Sequence, residues 1–233
     1  MTGAAAAPLR IALPSGASVS GLIDAPADAR AVYVFAHGAG AGMSHAFMST
    51  VAQGLARRGM ATLRFQFPFM EQGSRRPDPP AAAHAAVRAA VLEASRRWPQ
   101  LPLFAGGKSY GARMTSQAQA AQLLPGVLGL VFLGFPLHPA GKPGTERAQH
   151  LAGVDLPLLF LQGTRDALAE LTLVQKTVQR LGARATLHLQ DGADHAFHVL
   201  ARSGRTDAQV SEQMLDVMLE WTARLMPAGC ASA

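Results

Sequence analysis

The stretch Leu101-Pro-Leu-Phe-Ala-Gly-Gly-Lys-Ser-Tyr-Gly-Ala-Arg-Met114 decides the fold. It begins as a short apolar run, the pattern of a buried strand. It continues as Gly107-Lys108-Ser109-Tyr110-Gly111, a G-x-S-x-G pentapeptide, and passes at once into helix-like sequence. In that context the pentapeptide is a sharp strand-to-helix turn that holds a serine Oγ out at the end of a sheet. Such a turn needs small residues where chain passes close to chain. The helix start supplies free N–H groups and a positive dipole end beside the serine.

Outward from this turn the chain alternates. Upstream, Arg10 to Ile23 reads as two short strands around Pro14-Ser15-Gly16, Ala31–Ala36 reads as a strand covered on both faces, and Met60–Phe65 reads as the next strand. A helix between the last two carries Phe47, Val51 and Leu55 and stops at Gly59. A second helix starts at the prolines near 80 and puts His84 on its apolar face with Val87, Val91 and Trp98, so His84 is read as packed. Downstream, 126–134, 156–162 and 183–189 read as strands. The helix with Leu171, Val174, Val178 and Leu181 ends at Gly182, and a terminal helix opens on the capping-box pattern Thr206-x-x-Gln209. This alternation predicts an α/β fold with a mostly parallel central sheet and helices on both faces. The 233 residues fit a single domain, with 1–8 and 227–233 as tails. The segment from Pro139 to Asp155 is too short for a lid domain.

Composition limits the function classes. The net charge is +6 and mostly arginine, but the arginines are scattered as singles and pairs such as Arg75-Arg76. Without aromatic interleaving this reads as a solvated surface, and no nucleic-acid partner is expected. The single cysteine, Cys230, excludes an internal disulfide. No run reaches membrane-spanning length and the N-terminus lacks the pattern of a secretion signal, so no membrane partner and a cytoplasmic location are expected. No metal motif stands out and no cofactor is expected, because His195-x-x-His198 alone is a weak ligand pattern.

In such sheets, catalytic groups gather at the carboxyl ends of the strands. Four of these ends carry apt residues: the loop His37-Gly-Ala-Gly-Ala-Gly42, Ser109, Asp166 and His195. The order Ser, Asp, His suits a nucleophile, an orienting acid and a base. A serine hydroxyl needs an adjacent base, and a histidine can take its proton near neutral pH. An aspartate fixes the imidazole tautomer. Asp155, Asp191, Asp194 and Glu170 are the rival acids. Asp155 lies at the wrong strand end, Asp191 and Asp194 shape the histidine's own loop, and Glu170 falls inside a helix. Among the histidines, His37 is read as a structural hydrogen-bonding group, and His188 lies mid-strand. The glycine loop matches neither a dinucleotide nor a P-loop pattern and reads as part of an oxyanion hole, the alternative being a plain tight turn. The loop 67–80 reads equally as a site wall or as a surface loop stiffened by prolines.

These residues carry a resemblance. His37-Gly-Ala-Gly40, Phe67-Pro-Phe-Met-Glu71 with Arg76-Pro-Asp78, Gly106-Gly-Lys-Ser-Tyr-Gly111, Gly163-Thr-Arg-Asp166 and Asp194-His195 make the chain similar to α/β-hydrolases of the dienelactone-hydrolase-like group. More closely, it resembles the small lidless proteins related to a non-specific-lethal complex subunit. The resemblance spans nearly the whole chain. It implies the α/β-hydrolase fold, a Ser109–Asp166–His195 triad, and an oxyanion hole from the N–H groups of Tyr110 and a residue near Ala39. Ser109 stands where dienelactone hydrolases carry cysteine, so the resemblance does not extend to their substrate. The expected walls of the substrate site are Gly38, Gly40, Phe67, Phe69, Met70 and Phe135. The expected activity is that of a serine hydrolase acting on a small ester or thioester. The alternative is a hydrolase-fold interaction protein with a vestigial site. The oligomeric state is not legible.

Overall fold

The computed structural model describes residues 6–227. Eight strands form one sheet: β1 (Ala7–Ala12), β2 (Ser18–Asp24), β3 (Ala31–Ala36), β4 (Met60–Phe65), β5 (Leu103–Lys108), β6 (Val127–Leu133), β7 (Leu158–Gly163) and β8 (Ala185–Gln190). Their spatial order is β1-β2-β4-β3-β5-β6-β7-β8. The β1/β2 and β2/β4 pairs are antiparallel, and every pair from β4 to β8 is parallel.

Six helices join the strands: α1 (Ala46–Ala56), α2 (Pro68–Glu71), α3 (Pro80–Arg97), α4 (Tyr110–Ala121), α5 (Leu171–Leu181) and α6 (Asp207–Ala223). Side chains on β3 alternate between the two faces. Val32, Val34 and Ala36 join the core under α3 and α4, while Ala31, Tyr33 and Phe35 join the core under α1 and α6. Both faces are therefore covered, which is why β3 carries no charged residue and its one hydroxyl, on Tyr33, donates to Val131 O at 3.0 Å. The Thr206–Gln209 capping box forms at the start of α6.

Several boundaries differ from the sequence reading. Ala7 and Pro8, expected in a tail, belong to β1 and pair with Ile23 and Leu22. A proline is tolerated there because β1 is an edge strand. The rest of the expected tails, with Cys230, lies outside the described residues, apart from Ala6 and Pro227. Gly182–Arg184 turns as a short 3-10 segment, so β8 starts at Ala185. Glu170 is the N-cap of α5 rather than an interior residue, and its carboxylate accepts from the Thr172 N–H. The connection after β6 holds a 3-10 segment, Glu146–Gly153, and nothing of lid size.

Candidate active site

The turn between β5 and α4 sets the site. Ser109 caps α4 with φ 52° and ψ −113°, a positive φ that non-glycine residues seldom adopt. The turn is this tight because its flanking glycines leave room. A Cβ on Gly107 would come 2.4 Å from the Ala36 carbonyl oxygen, and one on Gly111 would come 2.3 Å from it. Any larger residue at either position drives α4 away from β3. The Ser109 N–H donates to Leu133 O at 3.1 Å, which ties the turn to the end of β6.

Three strand ends converge on the serine. The Ser109 hydroxyl lies 2.8 Å from His195 Nε2, and His195 Nδ1 lies 2.7 Å from Asp166 Oδ2. The Asp166 side chain is fully buried, while that of His195 is 25% exposed. This gradient fits a buried acid behind a base that substrate can reach. Asp166 is held from two more directions. Its Oδ1 accepts from the Leu168 N–H at 2.8 Å, and its Oδ2 accepts from Gln162 Nε2 at 2.5 Å.

The rival residues have other partners. Asp194 Oδ1 accepts from the N–H groups of Ala196 and His198, which closes the loop that carries His195. Asp191 accepts from the Thr164 hydroxyl. His198 is exposed and bonds Asp207 at 2.9 Å. His84 is half-buried and faces Gln117 at 3.4 Å. His37 is fully buried. Its Nδ1–H donates to Gly38 O at 2.7 Å and its Nε2 accepts from the Phe67 N–H at 3.0 Å. Burial holds its pKa down at about 4, so it stays neutral and braces the glycine loop against the loop after β4. Among the described residues, no three His, Cys, Asp or Glu side chains cluster as metal ligands.

Gly38, Ala39 and Gly40 lie in the turn after β3, where the Ala41 N–H donates to Gly38 O at 3.3 Å. Tyr110 is the first residue of α4, so its N–H has no partner within the helix. Of the expected substrate walls, only Met70 among the bulky residues is partly exposed. Phe67, Phe69 and Phe135 are almost completely buried. Phe67 and Phe69 stack edge-on against the Tyr110 ring at 5.2 and 6.0 Å, and Phe135 packs on Phe132 and Phe160. These three rings belong to the buried core and present almost no surface to solvent. Apolar loop residues satisfy packing first, and the sequence alone does not show which neighbours cover them. The cavity of about 270 Å³ lined by Arg30, Met60 and Leu219 lies at the amino ends of β3 and β4, across the sheet from Ser109.

Two residues enter the site that the sequence did not single out. Gln162 sits at the end of an apolar strand with no exposed surface, and it bridges Asp166 and the Phe135 N–H. A lone amide in a buried strand was the available signal, since such a group must find partners. Lys108 reaches across the turn to the His195 carbonyl.

A sheet in this order, with helices on both faces and, among the described residues, no domain over the strand ends, defines the class of α/β hydrolases without a lid. Residues 29–223 match the alpha/beta hydrolase domain family, and the chain belongs to it. No helix among the described residues is long and apolar enough to cross a membrane. Among solved structures, the chain is similar to an alpha-beta serine hydrolase homologue from Coxiella burnetii. The TM-score is 0.74 at 21% identity, over 91% of this chain and 97% of that one. It is similar to a serine hydrolase without lid from Xanthomonas campestris, with TM-score 0.74 at 22% identity over 93% and 95% of the two chains. It is also similar to a dienelactone hydrolase from Anabaena variabilis, with TM-score 0.75 at 18% identity over 92% and 97%. At these identities the likeness is one of fold.

Proposed function

We propose that the protein is a serine hydrolase that cleaves a small ester or thioester through an acyl-enzyme on Ser109. The observation that carries this reading is the unbroken relay from Ser109 Oγ to His195 to Asp166, at 2.8 and 2.7 Å. In the first step His195 Nε2 takes the Ser109 proton as Oγ attacks the acyl carbon. The resulting imidazolium is stabilised by the Asp166 carboxylate and returns the proton to the leaving alcohol or thiol. Water then repeats the cycle and releases the acid. The developing oxyanion is received by the Tyr110 N–H at the α4 start and by an N–H near Ala39, with Gly38 and Gly40 leaving room for the substrate.

The substrate is small. Among the described residues nothing of lid size covers the strand ends, and the bulky rings near the loops are already buried. A methylene gains about 0.8 kcal/mol only when it leaves water. Across p-nitrophenyl esters from acetate to palmitate, kcat/KM therefore levels off or falls as the chain lengthens. A rise that continues into the long chains contradicts the small-substrate reading. The absence of turnover on every ester and thioester contradicts the hydrolase reading and favours an interaction role.

A further inference from the structure

We propose that Lys108, the residue before the serine, is a positioning residue that holds His195 in its working place and keeps a positive charge beside it. The proposal rests on the hydrolase reading above. Lys108 Nζ donates to the His195 carbonyl oxygen at 2.5 Å, so the strand that delivers the nucleophile also grips the loop that delivers the base. The ammonium lies 5.8 Å from the Phe47 ring centre on α1 and 5.2 Å from that of Phe197. These two rings are nearly parallel, 5.9 Å apart, and both present π faces to the cation. Phe197 holds a φ of 65°, uncommon for an aromatic residue, two positions after His195. A methyl group on Gly134, at the end of β6, would come 2.9 Å from Nζ and 3.5 Å from His195 Nδ1. The lysine and the imidazole therefore share one small space, and only a glycine leaves it open.

The position has an electrostatic consequence. The charged groups acting on Lys108 are Asp166 and Asp194, while α1 presents Phe47 and β6 presents Gly134. Lys108 is partly exposed as a residue, but loss of water around its ammonium brings its pKa from 10.5 down to about 8. It still carries its charge at neutral pH. A cation therefore sits beside the base, a place that an arginine can fill and a neutral side chain cannot.

The test is the rate at which a fluorophosphonate labels wild type, K108M and K108R at pH 7. K108M is expected to label more slowly, by a factor on the order of 10 to 100, because the base is displaced. K108R is expected to recover part of the rate. If K108M does not fold, F47L carries the test, because it removes one ring and keeps the charge. F47L is then expected to label more slowly. Full-rate labelling of K108M, or of F47L in its place, overturns the proposal, as does K108R labelling no faster than K108M. No labelling of the wild type overturns the hydrolase reading itself, and this inference with it.

Discussion

His37 and His195 both follow a strand of the same sheet, and both have their two ring nitrogens engaged. His37 bonds backbone on each side and has no exposed surface. His195 bonds a carboxylate on one side and a serine hydroxyl on the other, with a quarter of its side chain exposed. The first arrangement locks a tautomer with no transferable proton, since each partner is an amide group. The second sets a proton that can move, backed by a charge that stabilises its arrival. Histidine alone is not a signal for a base. Its partners decide whether the ring is a brace or a catalyst.

The largest effect that can break this comparison is at His195. His195→Ala is expected to lower kcat by about 10³-fold or more, as losing a triad member does. His37→Asn is expected to lower kcat by no more than about 10-fold, on the scale of a misplacement and not of lost chemistry. Equal losses in the two variants contradict the assignment of roles. Asp166→Asn comes next. It preserves packing but lets the imidazole take the wrong tautomer, and kcat is expected to fall by roughly 10²-fold to 10⁴-fold. Glu170→Gln serves as its control. Glu170 caps α5 and accepts from Thr172, so only a small change in stability is expected. A severe loss of turnover in Glu170→Gln with a mild one in Asp166→Asn would exchange the two carboxylates.

A last effect sharpens the comparison through pH, in stability and not in turnover. Burial holds His37 at about 4 against its ordinary 6.5. Between those values the unfolded chain binds a proton that the folded chain refuses. The stabilising contribution is therefore complete above about pH 6.5 and is lost as the pH falls toward 4. For this one group the loss is about 3 kcal/mol. His150, also held at about 4 by burial, acts in the same direction. Urea unfolding at pH 7 and pH 4.5 measures the slope, and His37→Asn is expected to be less stable at pH 7 but less sensitive to acid. An unchanged slope would mean that His37 is not the buried neutral group described here.

Much of this was legible in the sequence because it is written in local pattern. Apolar runs gave the buried strands, and the four strand ends brought His37, Ser109, Asp166 and His195 to one edge. What stayed hidden depends on neighbours distant in sequence. Arg64 sits inside a mostly apolar strand, only 2% exposed, and bonds Asp24 at 2.7 Å, a partner 40 residues away. Phe67 and Phe69 read as a site wall because loop aromatics often are one, but Tyr110 and His37 cover them. Lys108 reads only as the variable position of a motif, and its partner lies 87 residues downstream.

The central claim is that Ser109 is the nucleophile and His195 its base. Incubating the intact protein with a fluorophosphonate and mapping the adduct by mass spectrometry tests it most directly. The account predicts one adduct, on Ser109, lost in Ser109→Ala and formed far more slowly in His195→Ala. An adduct on another residue, or labelling of His195→Ala at the wild-type rate, would contradict it.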